Sequence, residues 1–184
     1  CALPILSSLA KKYTSIECIN DYFENTSEAL NGKKFDCIVS TGVLHETPTP
    51  KKFLKTLGQL FDDKTKVYMN VPNASSFHRV IAKEIGLIEN IYQKSERNKE
   101  LQQNMNFDIE LLQKTIKNIL PNTNIIECKS FFFKPFTHQQ MMKCIEAEII
   151  DEAIIDGLYK ISDFFPGYGA EIYCIFEQKK DLDL

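Results

Sequence analysis

Phe35-Asp-Cys-Ile-Val-Ser-Thr-Gly-Val-Leu-His-Glu-Thr-Pro-Thr-Pro50 and, a helix-length later, Lys66-Val-Tyr-Met-Asn-Val-Pro-Asn73 are the stretches that decide the fold. Each holds a short apolar run of the kind buried on both faces of a parallel sheet. Between them Phe53, Leu54, Leu57, Leu60 and Phe61 recur at helical spacing. Thr49 stands where an N-cap belongs and Pro50 at the first helical position, where its missing N–H is not needed. Strand, helix and strand make a βαβ unit. In an open α/β sheet the loops at the carboxyl ends of adjacent strands line the ligand crevice, so Ser40 to Glu46 and Asn70 to Asn73 are expected to face one another across a site.

Downstream, Pro72 breaks the second strand, Ser75 or Ser76 can cap a helix running to Glu84 or Ile85, and Gly86 stops it. Residues 87–107 are the least periodic, and the stretch to Met105 is rich in Asn, Gln, Lys and Glu; they are expected to form a lid. A helix should begin at Asp108, with Phe107 and Leu112 spaced as a hydrophobic staple. Ile125 to Phe133 reads as a strand. Thr137 and Gln140 match a capping box with Phe136 and Met141 as staple, which starts a helix that carries Met141 to Ile150. Glu171 to Phe176 is a last strand. Upstream, Leu3, Leu6, Leu9 and Ala10 place a short amphipathic helix over Leu3 to Tyr13, and Ile16 to Asn20 reads as a strand. The whole chain, 1–184, is read as one α/β domain.

The 43% apolar and 26% charged composition is that of an ordinary globular domain. With 22 basic against 25 acidic side chains there is no footprint for a phosphate backbone, which argues against nucleic acid as a partner. No apolar stretch is long enough to span a bilayer, so no membrane partner is expected. The six cysteines form no C-x-x-C pair and have no histidine at zinc spacing, so no metal is expected. Four of them, Cys18, Cys37, Cys128 and Cys174, fall in expected strands and read as reduced core thiols, hence a cytoplasmic setting.

The same residues carry a resemblance. Phe35-Asp36, four strand residues, Thr41-Gly-Val-Leu-His-Glu46 and then Pro48 and Pro50 resemble the fourth-strand motif of class I S-adenosylmethionine-dependent methyltransferases, in a small-molecule branch. His45-Glu46 stand where that branch usually has Glu-His. Val71-Pro-Asn-Ala-Ser-Ser-Phe-His-Arg79 resembles its fifth-strand exit, and Phe133-Lys-Pro-Phe-Thr-His-Gln-Gln-Met141 its late segment. The resemblance implies a Rossmann-like methyltransferase sheet of order 3-2-1-4-5-7-6, mostly parallel with an antiparallel last strand and helices on both faces. It also implies S-adenosylmethionine as cofactor. The family's glycine-rich first-strand loop has no counterpart in these residues, so two strands and a helix are expected to precede Cys1.

Site residues follow from the resemblance. Asp21 would accept a hydrogen bond from the adenine amino group with Tyr22 or Phe23 packing the ring; a local Asx turn is the competing reading of Asp21. Ser40, Thr41 and Gly42 would contact the methionine end, although Gly42 equally suits a positive φ. His45 is the candidate catalytic base, or else orients its loop, and Glu46 would orient the imidazole or be solvated. Asn73, His78, Arg79 and His138 would face the acceptor. A cation in a first helical turn is opposed by the helix dipole, so Arg79 should reach outward to a carboxylate or phosphate, or form a surface salt bridge. The expected activity is methyl transfer to oxygen or nitrogen of a small metabolite, such as a sugar or cell-envelope precursor, in a bacterial-type enzyme. A non-catalytic Rossmann-like binding module is the alternative; a nicotinamide-dependent oxidoreductase shares the fold class but has no motif here.

Overall fold

The computed structural model describes residues 12–13, 15–94 and 105–179. Four strands, β1 (Cys37–Thr41), β2 (Lys66–Pro72), β3 (Thr123–Phe131) and β4 (Glu171–Gln178), form one sheet in the order β1-β2-β4-β3. The expected βαβ unit is there: helix α1 (Pro50–Gly58) connects β1 to β2, which pair in parallel from Cys37 opposite Lys66 to Thr41 opposite Asn70. Thr49 is its N-cap residue, though its side chain makes no cap bond. β4 runs antiparallel to both β2 and β3. The antiparallel last strand is therefore as expected, and three of the four strands point one way. By neighbouring pairs the sheet is less parallel than expected, because β4 inserts between β2 and β3 and makes two of its three pairings antiparallel.

Alternation along the strands sends Val67, Met69 and Val71 of β2 and Ile172, Cys174 and Phe176 of β4 into one buried face. Leu54 and Leu57 of α1 pack there, as do Leu112 and Ile116 of helix α3 (Ile109–Ile119). The opposite face is covered at one end, where Tyr159 of helix α5 (Glu152–Lys160) stacks on Phe131 of β3 and Phe131 meets Tyr173 of β4. Helices thus lie on both faces. Toward β1 this second face opens to solvent, with Val39 68% exposed.

Local capping chemistry sets several ends. Asp108 caps α3 by accepting from the Leu111 N–H at 2.7 Å, and Phe107 and Leu112 share the buried core. Helix α4 (His138–Glu146) opens with the expected capping box of Thr137 and Gln140. Phe136 does not complete the staple; it stays exposed while Met141 is buried. Helix α2 (Phe77–Glu84) follows Ser76 and stops before Gly86, at φ 76°. Helix α5, capped by Asp151 accepting from Ile154 N–H at 2.8 Å, was not foreseen.

Three expectations are corrected. Ile16 to Asn20 is not a strand: a strand exists through its ladder, and among the described residues none pairs with this segment. Nor are the four strand cysteines uniformly core. Cys174 is buried and Cys128 half-buried, but Cys37 faces outward from the edge strand β1 and Cys18 is exposed. β3 ends at Phe131 rather than Phe133, because Phe132 adopts φ 61° and turns the chain away. The expected first helix lies almost wholly outside the described residues.

Candidate functional site

The exits of β1 and β2 are tied together. Gly42 takes φ 68°, a conformation glycine adopts without a Cβ penalty, and donates its N–H to the Asn70 carbonyl at 3.0 Å. Space beside Gly42 is open: a Cβ built there would meet nothing within 4 Å. Ser40 is buried with its Oγ unpartnered, whereas Thr41 is exposed. Leu44 plunges into the core and holds the turn.

His45 is only 4% exposed, its Nδ1 lacks a partner, and its Nε2 lies 3.6 Å from Glu46 Oε1. Burial lowers its pKa, with Glu46 opposing the shift, so the imidazole is neutral near pH 7. Thr47 donates to the buried carboxylate of Glu24, a link between this turn and the 3-10 turn Phe23–Asn25 that the sequence reading missed.

At and just before that 3-10 turn the three adenine candidates separate. Asp21 Oδ1 accepts from Tyr22 N–H at 2.7 Å and from Asn25 Nδ2 at 3.1 Å, local bonds that are not those of an Asx turn, whose donor is the N–H two residues on. Both bonds fall on one oxygen, and a carboxylate has further acceptor sites. Tyr22 is 74% exposed. Phe23 instead packs on Phe53 of α1 with ring centroids 4.7 Å apart and is half-buried against the core.

The acceptor-side candidates are also redistributed. Asn73 is buried, and its Nδ2 donates to the carbonyls of Gly167 (2.8 Å) and Gly169 (2.7 Å) while Oδ1 accepts from Ser75 N–H (2.9 Å). Its side chain builds the walls of the crevice. Arg79 neither reaches outward nor forms a surface ion pair; its guanidinium donates to the carbonyl oxygens of Ile91 (2.8 and 3.0 Å) and Gln93 (2.5 Å). Of the expected lid, 87–94 and 105–107 are described. Arg79 holds the first part, and Phe107 is buried and bridged to Asn73. His78 is half-buried with Nδ1 unpartnered, and burial with the charges of Lys134 and Arg79 pushes its pKa down to about 4. His138, the first residue of α4, is exposed.

A cavity of about 550 Å³ opens among α2, the loop at 90–92, the start of α3 and residues 166–168. Its Tyr92 and Asp108 are hydrogen-bonded to each other, another pair missed from sequence because 16 residues separate them. Among the described residues no group of three or more His, Cys, Asp or Glu is placed to hold a metal ion, and no helix is long and apolar enough to cross a membrane.

A strand order of β1-β2-β4-β3 with one reversed strand, and a crevice at the carboxyl ends of β1 and β2, define a Rossmann-like α/β ligand-binding domain. A family profile described as a methyltransferase domain matches residues 6–119, more than half of the chain, and the chain belongs to that family. Similar solved structures include the plantazolicin methyltransferase BamL in complex with a desmethyl-plantazolicin analogue and SAH. It has 13% identity, a TM-score of 0.54, and coverage of 95% of this chain and 64% of that one. Another is a possible histamine N-methyltransferase from Thermotoga maritima, with 17% identity, a TM-score of 0.51, and 95% and 68% coverage. A SAM-dependent methyltransferase from Archaeoglobus fulgidus has 12% identity, a TM-score of 0.50, and 94% and 72% coverage. The chain thus spans roughly two thirds of these proteins, and at such identities the likeness is one of fold. Among curated protein sequences nothing matches at a significant level.

Proposed function

We propose that this protein transfers a methyl group from S-adenosylmethionine to an oxygen or nitrogen of a small-molecule acceptor. The observation that supports it most is the placement of buried, unpartnered polar atoms near the carboxyl ends of two adjacent strands, Ser40 Oγ near the end of β1 and His45 Nδ1 after it, and Ser76 Oγ and His78 Nδ1 after β2, in a chain of the methyltransferase family. Buried polar groups are normally paired, and a polar ligand would pair these.

The residues present fit the cofactor. Ser40, Thr41 and the bare backbone of Gly42 would hold the methionine end, with open space beside Gly42 for close approach. Asp21, through its unengaged oxygen, and the exposed Tyr22 ring would receive the adenine. When bound, S-adenosylmethionine supplies a sulfonium methyl: the acceptor's lone pair bonds the carbon as the carbon–sulfur bond breaks and its electron pair leaves on a neutral thioether. The protein's main task is alignment, for which effective molarities supply roughly 7–11 kcal/mol. His45, neutral near pH 7, is the candidate to take the acceptor's proton, and Glu46 at 3.6 Å would stabilise the resulting imidazolium. Such a base adds about 10²–10⁴ fold. The formal charge of -3 suits a metabolite rather than a nucleic acid.

The test is calorimetric titration of the intact protein with S-adenosylhomocysteine. Saturable one-to-one binding is expected. Absence of binding would turn the reading to a non-catalytic module of the same fold.

A further inference from the structure

The 550 Å³ cavity lies within the range of small-molecule sites, roughly 300–1,000 Å³. It opens at the carboxyl end of the sheet, because α3 precedes β3, which runs the same way as β1 and β2, and so presents its N-terminus there. Its walls come from three segments far apart in sequence, and Asn73 fastens them: to Ser75 on one side, to Gly167 and Gly169 on another, and through the bridge to Phe107 just before Asp108. The cavity is therefore a built feature of the β2 exit.

We propose that this cavity is the acceptor pocket and that it takes an amine beside an apolar or aromatic body, recognised as the ammonium, which gives one proton to solvent at the open rim before its nitrogen lone pair takes the methyl group. The proposal rests on the methyltransferase reading. Its lining combines the rings of Tyr92 and Tyr168, the apolar Val80 and Ile109, and the carboxylates of Asp108 and Glu110. Among the described lining residues the one cation, Lys83, is paired with Glu84 at 2.9 Å, so the described wall is net negative. Acidic side chains are also what a first helical turn favours, and both oxygens of Asp108 are already engaged: Oδ1 caps the Leu111 N–H and Oδ2 takes the Tyr92 hydroxyl. Glu110, exposed on the rim, remains to meet a cation. The bond to Asp108 fixes Tyr92 and keeps it protonated, with its pKa pushed up to about 12. A neutral phenol ring attracts an ammonium through its quadrupole. Among the described lining residues, an anionic acceptor would meet two carboxylates and one lysine already paired with Glu84.

The test uses three probes of one shape on the intact protein at pH 7: 2-phenylethylamine, 2-phenylethanol and phenylacetate, with dissociation constants from calorimetry or ligand-observed NMR. The amine should bind about tenfold tighter than the alcohol, and the carboxylate weakest, with tenfold corresponding to about 1.4 kcal/mol. Glu110→Gln should erase most of that amine preference while leaving the alcohol unchanged, and Tyr168→Leu should weaken the amine more than the alcohol. Equal or stronger binding of alcohol or carboxylate, a preference untouched by both variants, or no binding of any probe at millimolar concentration overturns the proposal. Titration with S-adenosylhomocysteine on the same sample separates the two ideas. Cofactor-product binding without amine preference sinks only the pocket, whereas amine preference without it keeps an amine-binding cavity but sinks both the methyltransferase reading and the cavity's role as acceptor pocket.

Discussion

Replacing Asn73 tests whether one amide holds the crevice together. Asn73→Ala removes three side-chain hydrogen bonds: two donated to the carbonyls of Gly167 and Gly169 at 2.8 and 2.7 Å, and one accepted from Ser75 N–H at 2.9 Å. Each is worth about 0.5–1.5 kcal/mol net, and Asn73 is only 2% exposed, so solvent cannot readily replace it. The expected loss is about 3 kcal/mol, which for a domain of this length lowers Tm by roughly 6–12 °C. Asn73→Asp sharpens the argument. The new carboxylate can still accept from Ser75, but it cannot donate to two carbonyls and places a buried charge against them. At pH 7 it should cost at least as much as the alanine variant. On acidification it should recover part of the loss relative to wild type, because burial raises the new group's folded pKa and the protonated form regains a donor. Urea denaturation followed by circular dichroism gives both values, provided the m-value is unchanged. An aspartate variant as stable as wild type at pH 7, or an alanine variant within about 0.5 kcal/mol, the range of neutral surface substitutions, would refute the structural role.

Gly169→Ala should be costly for another reason: the added Cβ would lie 2.4 Å from Phe131 N and 2.5 Å from its carbonyl oxygen, both backbone atoms. A loss of about 1–3 kcal/mol is expected from such overpacking, and an unchanged thermal midpoint would contradict the close approach. His78, depressed from 6.5 to about 4 mainly by burial, binds fewer protons folded than unfolded. Its contribution is present above pH 6.5 and is lost as pH falls toward 4, about 3 kcal/mol in all; His78→Gln should flatten that part of the stability–pH curve, and an identical acid limb would exclude the histidine. Tyr22→Ala should weaken S-adenosylhomocysteine by about 1–3 kcal/mol if the ring stacks on adenine, with stability unchanged because the side chain is exposed. An unaltered dissociation constant would remove Tyr22 from the site.

What was legible in the sequence is what local chemistry specifies. The βαβ unit could be read because parallel strands are apolar runs and Pro50 marks the helix start; the α3 cap and the α4 capping box follow from side chains three residues from their partners. Ile16 to Asn20 has strand composition, but a strand needs a partner, which composition does not reveal. Arg79 illustrates the same limit at the site. The helix dipole argued that it should reach outward, yet the carbonyls of Ile91 and Gln93, 12 and 14 residues on, receive it. Tyr22 and Phe23 are equivalent as letters; only the position of Phe53 packs one ring, half-buried, against the core and leaves the other in solvent. Asn73 looked like a ligand contact because its true partners lie 94 and 96 residues away.

The four unpartnered buried side-chain atoms found among the described residues belong to Ser40, near the end of β1, to His45, just after it, and to Ser76 and His78, after β2. Leaving such a group unsatisfied costs about 1–3 kcal/mol, so the arrangement works against the stability of the fold. Ser76 makes the point most sharply: it occupies an N-cap position, where its hydroxyl is suited to accept from the first turn of α2, yet it makes no cap bond and has no other partner. Both histidines have pKa values lowered chiefly by burial, which disfavours their charged forms and keeps lone pairs available near pH 7. If these groups meet the ligand proposed above, a stabilising substitution at any of them is expected to trade against ligand binding.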